Sequence, residues 1–175
     1  MDAAHFIHEG YIGYVWSSER IFMPTPSGRK RWNVLGAVNA ITKEIVTVED
    51  EKYINSESVC IMLNKLADRK CGIPITVILD NAPYQRCRVV EKHAETVGIE
   101  LLFLPSYSPN LNLIERLWRF VKSKYLYCIY YNTFAKFVNA IRACLHDDFI
   151  KNIEEIESLL SLKFQSFKKV KILTV

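Results

Sequence analysis

A change of rhythm near residue 56 constrains the fold of this chain more than any other feature. Before it, β-branched, aromatic and small residues cluster in short runs between turn signals, over residues 11–16, 32–40 and 44–48, as expected of strands. Thr42 and Lys43 leave only a tight connection between the last two runs, so the first third reads as a small antiparallel meander. Residues 24–31, with Pro24, Pro26 and Gly28, read as loop. After residue 56 the period lengthens. Val59, Ile61, Met62, Leu63 and Leu66 give 56–69 a helical pattern, 75–79 is a buried strand, 85–97 is an amphipathic helix ending at Gly98, and 101–104 is the next strand. This order implies an α/β fold: a mixed sheet flanked by helices, its later strands parallel and joined by right-handed crossovers. From Asn112 the chain reads as helical, with Ile114, Leu117, Trp118, Val121 and Tyr125 on one face, followed by a second helix over 133–146.

Size and composition fit one domain. The chain has 175 residues, 50% of them apolar, and no Gly/Ser linker divides it. A net charge of +4 and a pI near 8.7 favour an anionic partner only mildly. The five cysteines lack the close spacing of a zinc site or a redox pair and read as thiols of a reducing compartment. No run approaches the length of a membrane span and no leader precedes Asp2, so a cytoplasmic protein with no membrane partner is expected.

Two carboxylates stand out. Asp80 ends the strand Ile78-Leu79-Asp80, and Glu115 falls on the opening turn of the helix after Asn112, with 34 residues between them. Ligands of open α/β sheets gather at such strand ends. Hard oxygen donors that converge without a neutralising cation are what divalent-metal phosphodiester chemistry needs. Each residue also has a plainer reading. Asp80 before Asn81-Ala82-Pro83 fits an Asx turn, and Glu115 fits a capping box with Asn112 or an i, i+4 pair with Arg119.

Four segments, Asp2-Ala-Ala-His-Phe6, Gly28-Arg-Lys-Arg-Trp-Asn-Val-Leu-Gly36, Ile78-Leu-Asp-Asn-Ala82 and residues 104–118, decide between these readings. Together they closely resemble the DDE transposases of the Tc/mariner superfamily, of the bacterial insertion sequence 630 type. The resemblance runs from residue 2 to about residue 145. It implies a ribonuclease H-like, retroviral integrase-like fold, with Asp2, Asp80 and Glu115 as the catalytic, metal-binding carboxylates. It further implies a two-metal magnesium site in which manganese can serve, strand cleavage at transposon ends by water, and attack of the freed 3′-hydroxyl on target DNA. Transposon-end and target DNA would be the partners, and the active form a homo-oligomer.

Arg29, Lys30 and Arg31 in the loop, and Arg116, Arg119 and Lys122 on the helix of Glu115, are the candidate phosphate contacts. The bland reading is a solvated loop and a solvated helix face. Lys168, Lys169 and Lys171 read as a solvated tail. His5 and His8 lie beside Asp2, but imidazole suits softer ions than magnesium. Trp16, Trp32 and Trp118 read as core residues.

Relatives of this type carry a helix-turn-helix ahead of the first Asp, and none precedes Asp2 here. The expected organisation is a catalytic domain over 1–150 with its first strand truncated and a helical or flexible tail over 151–175. Asp2 is expected to sit on a fraying terminus. The functional expectation is a transposase catalytic domain in a truncated copy. The alternative is a noncatalytic DNA-binding remnant or regulatory partner of an intact transposase. A host ribonuclease H-like nuclease is disfavoured by the match over 107–118.

Overall fold

The computed structural model describes residues 1–8, 11, 16–22, 24, 30–69, 72–105, 111–147 and 151–164. Strands β1 (Asp2–Ile7), β2 (Arg31–Val38) and β3 (Ile45–Asp50) form the antiparallel meander, with Asp2 opposite Gly36 and Leu35 opposite Val48. The β2–β3 turn is longer than the two residues read from sequence. The Asn39 side chain accepts the Ile41 and Thr42 amides at 2.8 and 3.1 Å, and Lys43 takes the left-handed conformation that closes it (φ 63°).

Helix α1 (Ser56–Ala67) starts at a capping box in which the Asn55 side chain accepts the Ser58 amide and Ser58 Oγ accepts the Asn55 amide. It leads to β4 (Ile75–Leu79), then α2 (Arg88–Val97) and β5 (Ile99–Phe103). Strands β4 and β5 are parallel, with Ile75 opposite Ile99. Gly98 is left-handed (φ 68°), as the C-terminal cap of α2 requires. That helix begins three residues later than its apolar pattern suggests, because residues 82–86 are taken up by a turn in which the Ala82 carbonyl accepts the Gln85 and Arg86 amides. Helices α3 (Leu113–Tyr125) and α4 (Phe134–Arg142) follow. The latter opens into a π-helical turn (Ala143–Asp147) where one continuous helix was expected. Helix α5 (Ile153–Leu159) closes the described chain.

Two apolar layers sandwich the meander. On one face Ala4, Phe6, Trp32 and Val34 meet Ile114, Leu117, Trp118 and Val121 of α3, together with α4 and α5. On the other, Leu35, Ala37, Val46 and Val48 meet Val59, Met62 and Leu63 of α1, and Val77, Leu79, Val90 and Ala94 extend the layer beneath α2 and β4. Ile156 and Leu160, in the segment read as a tail, are fully buried in the first layer. Trp16 departs from its expected place in the core: it is fully exposed, beside exposed Ile21 and Phe22. The expected strand over 11–16 lies largely outside the described residues; Tyr11 makes an isolated bridge with Tyr127. Among the described residues no helix is long and apolar enough to cross a membrane.

The meander and the β4–β5 pair touch at one point that matters. The terminal amine of Met1 donates to Ile78 O at 2.7 Å, where a parallel neighbour of β4 would place a backbone N–H. Asp2 is therefore held rather than frayed: its strand is paired from its first residue, and Met1 packs among Leu35, Val77 and their neighbours.

Opposite Asp2, Gly36 makes room for the α3 indole. An added Cβ would stand 2.6 Å from Trp118 Cη2 and 2.8 Å from Ile114 Cδ1. Gly36→Ala is expected to cost about 1–3 kcal/mol of stability in urea unfolding, the usual size of overpacking. Trp118→Leu in the same chain should recover part of that loss; no recovery would mean that Gly36 is required for another reason.

Candidate active site

Alternation along the strands sets the geometry. Val77 and Leu79 face α1 and α2, so exposed Ile78, and Asp80 beyond it, lie toward the face that carries α3. Ala4 and Phe6 pack under α3, which puts Asp2 on that same face. Glu115 arrives from the first turn of α3. Backbone contacts fix all three. The Met1 amine ties β1 to β4 through Ile78 O, and Asn112 Nδ2 ties the start of α3 to β1 by donating to Met1 O at 3.3 Å. Asn112 is buried and spends its side chain on this link instead of on a helix cap. At the end of β4 the Asn81 amide donates to Leu104 O and accepts from Arg86 Nη1 at 3.1 Å, which locks the two parallel strands together beside Asp80.

Sequence reasoning missed these two asparagines. Their signal lay within the same motifs, one residue after Asp80 and three before Glu115.

The plain readings hold in part. Asp80 Oδ1 accepts the Ala82 amide at 3.3 Å, the Asx turn anticipated from sequence. Glu115 closes no capping box, since the Asn112 side chain points to Met1, and among the described residues Glu115 and Arg119 do not reach ion-pair distance.

Electrostatically the three acids form a pocket of like charge. Burial pushes the Asp2 carboxyl up, and the Asp80 charge adds to that; the Ala3 amide opposes it. The Trp118 indole N–H also favours the Asp2 anion, yet it closes no hydrogen bond of normal geometry and remains a buried donor without a partner. Burial raises Glu115 too, reinforced by Asp2 and Asp80 and offset by Arg119. Tyr84, half-buried, is raised by burial and then by Asp80 and Asp2, so its phenol borders the same pocket. The Met1 amine gives little relief. Burial lowers the Met1 amine to about 6 against the pull of Asp2 and Asp80, which leaves it mostly neutral at pH 7.

Oxygen-only donors of accumulated negative charge suit a hard divalent cation, and the chemistry of this set fits one. Among the described residues, no three His, Cys, Asp or Glu side chains close into a ready-made cage. Asp80 acts on Asp2, and both act on Glu115, as like charges.

The other candidates separate. Arg31 and Arg119 are exposed, Lys30 is exposed and sits over the Phe134 ring at 5.6 Å, and Lys122 is half-buried. Arg116 is turned away from solvent contacts of that kind, its guanidinium donating to three backbone carbonyls of residues 159–163. Arg29, Lys168, Lys169 and Lys171 lie outside the described residues. His5 Nδ1 lies 2.6 Å from Asn33 Oδ1. His8 is buried against Phe134 and Phe137 with Nε2 2.8 Å from Tyr131 O, a packing role.

Raised carboxyl pKa values carry a sign for stability. A folded-state pKa above the unfolded one favours the protonated fold, so stability falls as pH rises through that interval. Asp2→Asn is therefore expected to raise Tm in metal-free buffer at pH 7 by a few degrees, about 2–4 °C for each kcal/mol of repulsion relieved in a domain this long. The difference should vanish below about pH 4, where the unfolded carboxyl is itself protonated. An Asn variant less stable at pH 7 would contradict the like-charge pocket.

Three comparisons bear on this arrangement. The family model described as DDE superfamily endonuclease matches residues 1–138. No curated protein matches the sequence. Among solved structures, the Mos1 mariner paired end complex with Mn aligns with TM-score 0.60 at 15% identity, over 95% of this chain and 55% of that one. The Mos1 strand transfer complex gives 0.60 at 16%, over 95% and 54%. The catalytic domain of Mos1 mariner transposase gives 0.52 at 16%, over 89% and 78%. This chain thus spans about half the length of the transposase in the two complexes. At such identities the likeness speaks for the fold, which is the ribonuclease H-like fold of transposase catalytic domains; the one mixed sheet expected from sequence is here an antiparallel three-stranded sheet and a parallel two-stranded one, flanked by helices. With most of its length matched by the family model, the chain belongs to the DDE superfamily of endonucleases.

Proposed function

We propose that this chain is a transposase catalytic domain of the insertion sequence 630 type, which cleaves DNA strands at transposon ends and joins the freed 3′-hydroxyl to target DNA. The observation that carries this reading is the delivery of three acids from three elements to one face of the sheet, through the Met1, Ile78 and Asn112 contacts. Membership of the DDE superfamily supports a role in transposition and DNA recombination.

In this reading Asp2, Asp80 and Glu115 would hold two magnesium ions, with manganese able to substitute. The ions supply an activated attacking oxygen and neutralise charge on the leaving one. The protein's own part is placement. The Asn112 link sets the approach of Glu115 to Asp2, and the Asn81 link keeps the end of β4 in register with β5. No covalent protein intermediate is needed, so no nucleophilic Ser or Cys enters.

Lys30, Arg31, Arg119 and Lys122 would hold phosphates of the bound DNA, as would Arg29. An active homo-oligomer working in the cytoplasm on transposon-end and target DNA completes the proposal. Recognition of specific ends belongs to the helix-turn-helix of relatives of this type and is not assigned to the 1–150 domain.

The decisive experiment is nicking of supercoiled plasmid in magnesium or manganese by the wild type, Asp80→Asn and Glu115→Gln. Metal-dependent nicking by the wild type, reduced to background in both variants while DNA affinity stays, is expected. A folded wild-type protein that binds DNA without nicking would instead favour the noncatalytic, regulatory reading.

The phosphate contacts are tested separately. Neutralising Arg31 or Arg119 should lower the slope of log affinity against log salt by about 1 for each residue, uniformly across sequences.

A further inference from the structure

Arg116 follows Glu115 directly in the first turn of α3, and it behaves unlike the other basic residues of that helix. Its Nη1 donates to Leu159 O at 3.1 Å and to Ser161 O at 2.9 Å, its Nη2 to Lys163 O at 3.4 Å, and its guanidinium lies over the Phe164 ring, 5.3 Å from the centroid. These carbonyls belong to the end of α5 and the residues after it, where a helix leaves acceptors unsatisfied and favours a cation. The planar fork of an arginine can serve several of them at once.

The receiving segment is itself anchored. Leu160 and Ile156 are fully buried under α3 and the meander. Lys43, in the left-handed corner of the β2–β3 turn, donates to Leu160 O at 2.9 Å and also to Ala40 O. Lys124, about two and a half turns along α3 from Glu115, pairs with Glu155 at 2.9 Å. A continuous path therefore runs from the sheet hairpin through the α5 terminus to the residue beside Glu115.

We propose that residues 159–164 form a latch that fixes the first turn of α3 through Arg116, and that Arg116 is a positioning residue for Glu115 and not a phosphate contact. The assignment of a metal-binding role to Glu115 rests on the function proposed above. Without the latch, the side-chain hydrogen bonding of the opening turn of α3 is reduced to the Asn112 link at 3.3 Å, and the turn otherwise rests on the burial of Leu113 and Ile114. Turns at helix starts lack half of their intrahelical hydrogen bonds and move first. Loss of Arg116 would thus loosen the carboxylate without touching it.

The test uses the full chain as wild type, Arg116→Gln, Arg116→Lys and Lys43→Gln, with three readouts: hydrogen exchange of the amides of residues 117–120, which bond to carbonyls of the first turn; manganese binding followed by electron paramagnetic resonance; and the salt slope of DNA binding. Arg116→Gln should speed exchange at 117–120 and weaken manganese binding about tenfold, as loss of a ligand's support typically does, with overall fold and salt slope unchanged. Arg116→Lys should fall between, because a point charge cannot fork to three carbonyls. Lys43→Gln, remote from the acids, should shift exchange and manganese binding the same way by less. Unchanged exchange and manganese binding in Arg116→Gln would overturn the latch, and a salt slope lowered by about 1 would then make Arg116 a phosphate contact. A wild-type chain that neither binds manganese nor nicks defeats the metal-site reading alone, and exchange at 117–120 still decides the latch.

Discussion

Everything around the candidate site depends on how the first residue of the chain is held. The Met1 amine reaches β4 and the Met1 carbonyl receives Asn112 from α3, so one residue joins the meander, the parallel pair and the helical layer. Each of these hydrogen bonds is worth on the order of 1 kcal/mol net, but both are sheltered from water, where an unmade bond costs more than a made one contributes. Burial of the Met1 side chain beneath Leu35 and Val77 supplies the apolar energy that keeps them closed. The three acids are therefore placed by main chain and amide groups, and none of them has to serve as its own scaffold.

Such a site is electrostatically costly in the free protein. Burial disfavours the anions of Asp2 and Glu115, Asp80 repels both, and the amine that might compensate is itself discharged by burial. Stability lost to repulsion at a binding site is the usual mark of a place built to receive something of opposite charge. The remainder of the fold offsets it through two well-filled apolar layers, with Phe6, Leu35, Met62, Leu63 and Ile114 fully buried.

Much of this was legible in sequence, and the reasons differ by element. Apolar and β-branched runs gave β2 and β4, and period-3.6 patterns gave α1 and α3, nearly at their observed limits, because β2 is buried on both faces and each helix buries one face against a neighbour. Gly98 marked the end of α2 because only its backbone fits there comfortably. The DDE family resemblance was carried by short motifs, and the match over residues 1–138 agrees with it. What was hidden depended on tertiary contact. Arg116 reads in sequence as one more cation on a basic helix, and only the fold brings the carbonyls of residues 159–163 to it. Trp16 reads as core by composition, yet it stands fully exposed. The π-helical turn after Arg142 breaks a pattern that looks continuous on paper. Asn81 and Asn112 passed as turn and cap residues, since a side-chain amide gives no hint of a partner dozens of residues away.

Strand β2 is the wall between the two layers. Six consecutive residues of it, 32–37, are buried, with Trp32, Val34 and the bare Gly36 toward α3 and Leu35 and Ala37 toward α1. A slip of one residue would exchange these sets, because side chains alternate strictly along a strand. Trp118 would then meet a methyl or larger group where it now meets none, and Asn33, whose amide donates to Asp50 O, would be forced into the opposite apolar layer. The glycine and the asparagine thus act as an address for the strand: of the neighbouring alignments of β2, only the observed one seats the indole and satisfies the amide, so the pairing that positions Asp2 is chosen during folding by residues that take no part in its chemistry.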